Sequence, residues 1–514
     1  MRIVSNHGLA TIALLLVFNM LLAGCIGAVD EVKEEIEDEI KDIEDEIVDL
    51  IEELPLGWNE IGPRERTSPT LYDFDSCDLL EQNLKQHLIQ EMTVELLQMQ
   101  DQYYGWGFYY DDAIDMEMAE DGDVGASDAS GSHGASQSPQ TREEGTDYSG
   151  TNNQEQGVDE ADFVKTDGYH IYILDQNVLT ILGVPEYGQL TYESNTSIQG
   201  NSREMMIAGD RIVVISTVSS WNIHSSDPLY DLLRFDDDTG WRGTTMTKFT
   251  VIDITDRENP SVSRELFIEG WYMTAREVDG TVRLVSHGYM ELPGVRYWLD
   301  LPQVYYSSDL NDSQRQDLRN QTIRDTIIQN SAAINNTSVD ELIPRIYEMS
   351  DGNLTTHALT QNDCQGFSTS GDSASHGITS IMTLDLASEQ FSFEADHLMS
   401  NWPVVYSSLD TLVIAESAQD WWWFWGNEDM NEATNIHSFS VGETGATTYA
   451  GSGRINGTVL DQFALSEYDG NIRVASTTGQ WGRWWMQDPE PMMNHVWIMP
   501  ADDTSGELEI LGHL

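Results

Sequence analysis

The stretch Thr151–Leu174, TNNQEQGVDEADFVKTDGYHIYIL, decides how the rest of the chain is read. Phe163–Thr166 is short and apolar-leaning, Asp167-Gly168 follows, and Tyr169–Leu174 is rich in β-branched and aromatic residues. Two strand-like runs around Asp-Gly predict a β-hairpin, because a type I′ turn needs φ > 0 at both central residues. The unit recurs. WYMTAREVDGTVRLVSH (271–287) turns at Asp279-Gly280, and QFALSEYDGNIRVAS (462–476) turns at Asp469-Gly470. Weaker copies lie around Gly209-Asp210 and Leu409-Asp410. After a variable loop each hairpin is followed by a second pair of strand-like runs, starting at Val178, Lys248, Ser380, Asn435 and His495. Five modules of four strands predict an all-β chain, a β-propeller of four-stranded blades. One such sheet cannot bury both faces, and stacking blades face to face buries them while leaving only short edges.

QGVDEADFVKTDG, IDITDRENP and YAGSGRINGTVLDQFALSEYDGNIRVASTTG make the chain resemble a family of secreted prokaryotic proteins with a C-terminal β-propeller distantly similar to Trp-Asp repeats. The likeness runs from about Cys77 to Leu514. It implies an exported propeller of unsettled biochemical role. Members of that family run on with further modules, whereas this chain stops at LEILGHL, where one more hairpin is expected. Two expectations follow: five blades that close on themselves, or an incomplete ring.

The composition narrows the partners. Against 88 acidic residues stand 25 basic ones, a formal net charge of -63, while apolar residues make up 40%, enough for a large core. Such a charge repels nucleic acid and anionic headgroups. It suits a surface bathed in salt, where screening confines repulsion to about 10 Å.

Residues 1–25 read as a lipoprotein-type signal peptide. Arg2 gives a positive start, Leu9–Leu22 an apolar run, and Leu22-Ala23-Gly24-Cys25 resembles the pattern after which lipoprotein signal peptidases cut. Cys25 is then the lipidation site, holding the protein at the outer face of the cell membrane. A plain signal peptide or an uncleaved anchor is the alternative. Residues 26–55 form an acidic amphipathic stalk: Val32, Ile36, Ile40, Ile43, Ile47, Leu50 and Leu54 make an a/d-like stripe over Val29–Leu54. At 1.5 Å per residue the stalk reaches roughly 40 Å, and through it copies of the chain could associate. Residues 56–118 are a helical N-terminal segment, with a helix over Asp78–Gln100 capped by Asp75 or Ser76. Residues 119–150 are Gly/Ser/Asp-rich and predicted to be disordered. The propeller spans 151–514, with a helical insertion at 288–376 that holds helices over Asn311–Asn330 and from Ser338, where Glu341 completes a capping box.

Candidate functional groups are few. Cys77 and Cys364 are the cysteines left after Cys25, and an exported chain favours their pairing as a disulfide, two separate buried thiols being the alternative. Trp421, Trp422, Trp423 and Trp425, with Trp484 and Trp485, compose the candidate binding surface: large rings offer much contact area for little entropy. The plainer alternative is that these loops pack on one another. Asp159, Glu160, Asp162 and Asp167, and Asp236–Asp238, carry enough hard oxygen for calcium, yet neither run has the spacing of a calcium loop; turns, caps and a salt bridge to Lys165 explain them as well. No nucleophile elbow, zinc helix or phosphate loop occurs, so no catalytic, cofactor-binding or metal residue is assigned. The function expected is that of a membrane-anchored binding or scaffold protein meeting a surface protein or glycan. The alternative is an extracellular hydrolase or lyase with its site over the channel, marked by carboxylates converging there with shifted pKa values.

Overall fold

The computed structural model describes residues 67–100, 142, 148, 154–155, 158–234, 242, 245–278, 281–290, 292, 294–350, 352–372, 377–385, 393–418, 432–441, 447–479 and 491–514. Cys25, the Val29–Leu54 stripe, nearly all of the 119–150 linker, Asp236–Asp238, Asp279-Gly280, Trp421–Trp425, Trp484 and Trp485 lie outside these residues.

The chain enters through β1 (Leu71–Asp73), α1 (Cys77–Gln98) and β2 (Asp159–Glu160). Five antiparallel four-stranded sheets follow in order. Blade 1 is β3 (Val164–Thr166), β4 (His170–Asp175), β5 (Val178–Gly183) and β6 (Thr191–Ser197). Blade 2 is β7 (Asn201–Ala208), β8 (Arg211–Ser219), β9 (Thr245–Asp253) and β10 (Ser261–Glu269), with α2 (Leu229–Leu232) between β8 and β9. Blade 3 opens with β11 (Trp271–Val278) and β12 (Thr281–Tyr289). The insertion then supplies α3 (Asp312–Asn336), α4 (Val339–Leu342), β13 (Ile346–Ser350), β14 (Asn353–His357) and β15 (Phe367–Ser370), before β16 (Gly377–Asp385) and β17 (Phe393–Met399) complete the blade. Blade 4 is β18 (Pro403–Ser407), β19 (Thr411–Ser417), β20 (Ala433–Val441) and β21 (Thr447–Asn456), and blade 5 is β22 (Leu465–Tyr468), β23 (Asn471–Thr478), β24 (Met493–Pro500) and β25 (Gly512–His513).

The first turn of each blade varies more than the sequence implied. Asp469 and Gly470 both take positive φ, 52° and 72°, as a type I′ turn demands. At Gly209-Asp210 only the glycine does, which is the II′ form. At Asp167 the turn is longer: Thr166 pairs with Ile171. Its shape is set by the Asp167 carboxylate, which accepts from the backbone N–H groups of Tyr169 (2.8 Å) and His170 (2.6 Å) and from the Tyr172 hydroxyl (2.9 Å).

Alternation along the strands gives every blade two apolar faces, and four interfaces bury them. Tyr172, Leu179 and Ile181 of blade 1 pack with Ile212, Val214 and Ile252 of blade 2. Val213, Phe249 and Leu266 meet Ala275, Leu284 and Met382 of blade 3. Val285 and Ile381 meet Leu412, Ile414 and Phe439 of blade 4, and Val413 and Ile436 meet Ile472, Val474 and Met499 of blade 5. Among the described residues no such cluster joins blade 5 to blade 1. Ile171, Ile173 and Leu182 on the far face of blade 1 are only half-buried, and Val496 and Leu514 on that of blade 5 are exposed. The ring is open.

A helical layer covers one side. The apolar face of α1 (Leu80, Leu84, Leu88, Met92, Leu96) packs on Ile323, Ile327 and Ile334 of α3 and on Phe367, Ile378 and Met399 of blade 3. Ser76 caps α1, accepting from Leu79 N. Helix α3 runs six residues beyond the sequence reading, to Asn336, because Ile334 belongs to the same buried stripe. The capping box of Ser338 and Glu341 forms at α4. The sequence reading did not anticipate the β13–β14 hairpin, which extends blade 2, nor β15 and β1, which extend blade 3. An Asp351-Gly352 pair between short β-like runs was the available signal for the hairpin.

Two ties fasten this layer. Cys77 and Cys364 form a disulfide with Cα atoms 5.0 Å apart across 287 positions of sequence. Glu269, buried, accepts from the Tyr347 hydroxyl (2.7 Å), from the backbone N–H of Arg345 (3.0 Å) and from Arg242 (3.3 Å), while Arg242 donates to the carbonyls of Glu341 and Ile343. Replacing both cysteines by serine is expected to cost about 2–5 kcal/mol in urea unfolding, with amide exchange rising first in α1. Glu269→Ala, which strands the buried Arg242, is expected to cost about 3–5 kcal/mol in the same measurement.

Candidate functional site

In a propeller the first strand of each blade lines the central channel, here β3, β7, β11, β18 and β22. The segment just before β3 lies across them. The Gln154 side-chain amide donates to the carbonyls of Gln462 (3.2 Å) and Leu465 (3.3 Å), at the start of blade 5. Glu155 accepts from the Tyr406 hydroxyl of blade 4 at 2.7 Å. Asp159 and Glu160 form β2, paired antiparallel with Glu277 and Arg276 of blade 3. Asp162 exchanges both backbone hydrogen bonds with Met205 of blade 2, at 3.1 and 2.8 Å. The chain then becomes blade 1. Between Gln154 and Asp162 it touches the inner edge of all four other blades.

Charge is matched along this thread. Lys165, buried, donates to Asp159 at 2.7 Å and to the carbonyl of Glu160. Arg276, also buried, donates to Gln462 Oε1 (2.8 Å) and pairs with Glu160 at 3.4 Å. The Tyr272 hydroxyl donates to Glu204 Oε2 at 2.6 Å. Burial raises the Glu204 carboxyl above the usual range, the negative charges of Asp162 and Glu160 add to the rise, and the Tyr272 hydrogen bond and Arg276 offset part of it. Burial, and then the charge of Glu204, lift the Tyr272 hydroxyl well above its ordinary value. A carboxyl with a raised pKa among other carboxylates is what general acid chemistry requires. Here the group already holds Tyr272.

Of the acidic residues singled out in the sequence, Asp236–Asp238 lie outside the described residues, and the others take part in turns and ion pairs. Asp159 is held by Lys165, and Asp167 is held by two amides and Tyr172, contacts that lower its pKa against the opposing effect of burial. Among the described residues no cluster of three or more His, Cys, Asp and Glu side chains is arranged to hold a metal.

One chemically suggestive array escaped sequence reading. Ser452 Oγ lies 2.7 Å from His437 Nδ1, and His437 Nε2 lies 3.1 Å from Glu416 Oε1. The three residues come from β21, β20 and β19, far apart in sequence, so no motif announces them. All three are fully buried, and the Tyr449 hydroxyl also bonds Ser452. A nucleophile sealed from solvent meets no substrate, and the array works as a polar tie across blade 4. Similar ties join His287 to Thr379 (2.9 Å) in blade 3 and Trp497 to Ser476 (2.9 Å) in blade 5. His397, bonded to Ser380 Oγ, is pushed down to about 4 by burial and stays neutral. His170, on β4, is held by Asp167 at 3.1 Å.

Strand directions repeat from blade to blade, so every connection between second and third strands leaves from the same end of the stack. The strand ends Ser219 and Thr245, Tyr289 and Gly377, Ser417 and Ala433, and Thr478 and Met493 frame the four long ones. Trp421, Trp422, Trp423 and Trp425 belong to the third of these connections and Trp484 and Trp485 to the fourth, outside the described residues. Two further exposed tryptophans, which the sequence reading passed over, lie in the first two: Trp221 and Trp298. The opposite end carries the Asp-Gly turns, where Arg257 bonds Asp210 of its own blade (2.7 Å) and approaches Asp167 of the preceding one (3.8 Å).

Of the comparisons with known proteins, the family model agrees with this architecture. No curated protein matches the chain. Among solved structures, a mutant of the Synechocystis apocarotenoid oxygenase is similar at 12% identity and a TM-score of 0.22, over 66% of this chain and 56% of that one. The chain thus spans about half the length of that oxygenase. A hypothetical selenium-binding protein from Sulfolobus tokodaii is similar at 8% identity and a TM-score of 0.20, over 67% of this chain and 75% of that one. Likenesses this distant carry no functional argument. The model of the beta propeller domain family matches residues 148–514, and with its blades in view the chain belongs to that family.

Proposed function

We propose that the protein is a non-enzymatic binding or scaffold protein, exported and held by a lipid on Cys25 at the outer face of the cell membrane. The acidic stalk over Val29–Leu54 would lift the propeller from the bilayer and could associate copies. The observation that supports binding over catalysis is the inner thread: its described residues between Gln154 and Asp162 contact the inner strands of the other four blades, where a propeller enzyme would work. What is left for a partner is the end with the four long connections, where tryptophans concentrate in sequence and Trp221 and Trp298 are exposed. Rings of that kind stack on sugars and pack on protein side chains. A surface glycan or surface protein is the partner this reading calls for.

The hydrolase or lyase reading draws on Glu204 alone, whose raised pKa suits a proton donor. The two readings differ in what Glu204→Gln does. In the scaffold reading Glu204 is a half-buried group that costs stability once ionised. Its folded pKa lies above the unfolded one, so its stabilising contribution is present at low pH and is lost as pH rises through the folded value. Glu204→Gln should therefore gain stability relative to wild type between pH 4 and pH 8, read by thermal melting, with partner binding unchanged.

Anchoring and binding are tested separately. Cys25→Ser is expected to move the protein from the membrane fraction to the soluble one, and mass spectrometry of the mature chain should place the lipid on Cys25. Trp421→Ala with Trp484→Ala is expected to weaken binding of surface glycan fragments about tenfold, the loss of one to two ring contacts, in a fluorescence titration.

A further inference from the structure

At the end of blade 1 that carries the Asp-Gly turn, the guanidinium of Arg142 is held by groups that together form a built recognition site. Its carbon lies 4.9 Å from the ring centre of Tyr169 and 4.8 Å from that of Tyr187. Nη1 donates to the carbonyl of Gly168, Nη2 donates to the carbonyl of Pro185 at 3.4 Å, and the Arg142 backbone N–H donates to the Tyr169 hydroxyl at 2.9 Å. Asp167 and Glu186 neighbour the two carbonyl residues in sequence. Aromatic faces and carbonyls set for a planar fork of donors fit guanidinium and serve the compact ammonium of lysine poorly.

The occupant comes from a different part of the chain. Arg142 is the only basic residue between Lys85 and Lys165, in a stretch rich in Gly, Ser and Asp. Tyr148 follows it onto the blade, lying where a Cβ on Gly168 would be 2.5 Å from its ring. The two cage rings remain accessible: Tyr169 is 43% exposed and Tyr187 64%.

We infer that the turns after β3 and β5 form a guanidinium-binding site, filled in cis by Arg142 and open to an arginine side chain of a basic partner when Arg142 leaves. The site stands apart from the tryptophan-bearing end and does not depend on the function proposed for it. A net charge of -63 draws cationic chains toward the surface, and the cage selects arginine from among them.

The test is ligand-observed saturation-transfer NMR on the full chain with N-acetylarginine amide and N-acetyllysine amide as probes. Arg142→Ala is expected to bind the arginine probe about tenfold more tightly than wild type, which two ring contacts and two hydrogen bonds support. The lysine probe should bind at least tenfold more weakly than the arginine probe, and Arg142→Ala with Tyr187→Ala should lose the gain. Unchanged circular dichroism melting, expected because both side chains are at the surface, excludes misfolding as the cause. The inference is overturned if Arg142→Ala binds the arginine probe no better than wild type, if lysine binds equally, or if Tyr187→Ala leaves the gain intact.

Discussion

The fold depends on a short length of backbone crossing the middle of the propeller. Blades that only stack face to face hold neighbours together and leave the order of the ring to loop lengths. The thread from Gln154 to Asp162 adds a second constraint, because it hydrogen-bonds the inner edges of blades 5, 4, 3 and 2 in turn before becoming blade 1. At Met205 and at Arg276–Glu277 it pairs backbone groups that a bare inner edge would leave open. The same contacts give the open ring a hub where, among the described residues, no apolar cluster joins blades 5 and 1.

Electrostatics follow from how few cations the chain has. Among the described residues Lys165, Arg242, Lys248, Arg276 and Arg283 are buried, out of 25 basic residues in all. Lys248, fully enclosed, reaches Glu265 at 2.5 Å and Gln199 at 3.1 Å, and burial lowers its pKa despite the pair. Arg454 is tied to the buried Asp372, which also accepts from Thr67 N (3.1 Å) and so clips the N-terminal segment to blade 4. Five of the cations lie inside, where low dielectric makes each pairing matter.

The polar ties of blades 3, 4 and 5 show why an array of catalytic residue types is weak grounds for catalysis. Ser452, His437 and Glu416 meet the distance criteria of a nucleophile relay, yet the blade interface seals them. In each of these blades a small hydroxyl on one strand stands opposite a ring nitrogen on its neighbour, and such a pair satisfies a polar group that the interface buries. Geometry and access have to be read together.

By itself the sequence determined the class and count of the repeats: Asp-Gly punctuation, period-two apolar runs and two strand pairs per module are local signals, and the local backbone obeys them. The capping residues Ser76 and Ser338 were equally legible, since a cap acts within one turn. The tertiary structure alone decided the rest. That Glu160, Asp162 and Glu204 share one channel, that Ser452 faces His437, and that Arg142 sits between Tyr169 and Tyr187 are long-range meetings fixed by how blades stack, and no spacing along the chain encodes them. The β13–β14 hairpin joined blade 2 for the same reason: Ile346 and Tyr347 found partners on Ile268 and Phe267, an edge supplied by the fold. The open ring, too, followed from the packing of whole faces, which apolar periodicity could announce and could not count.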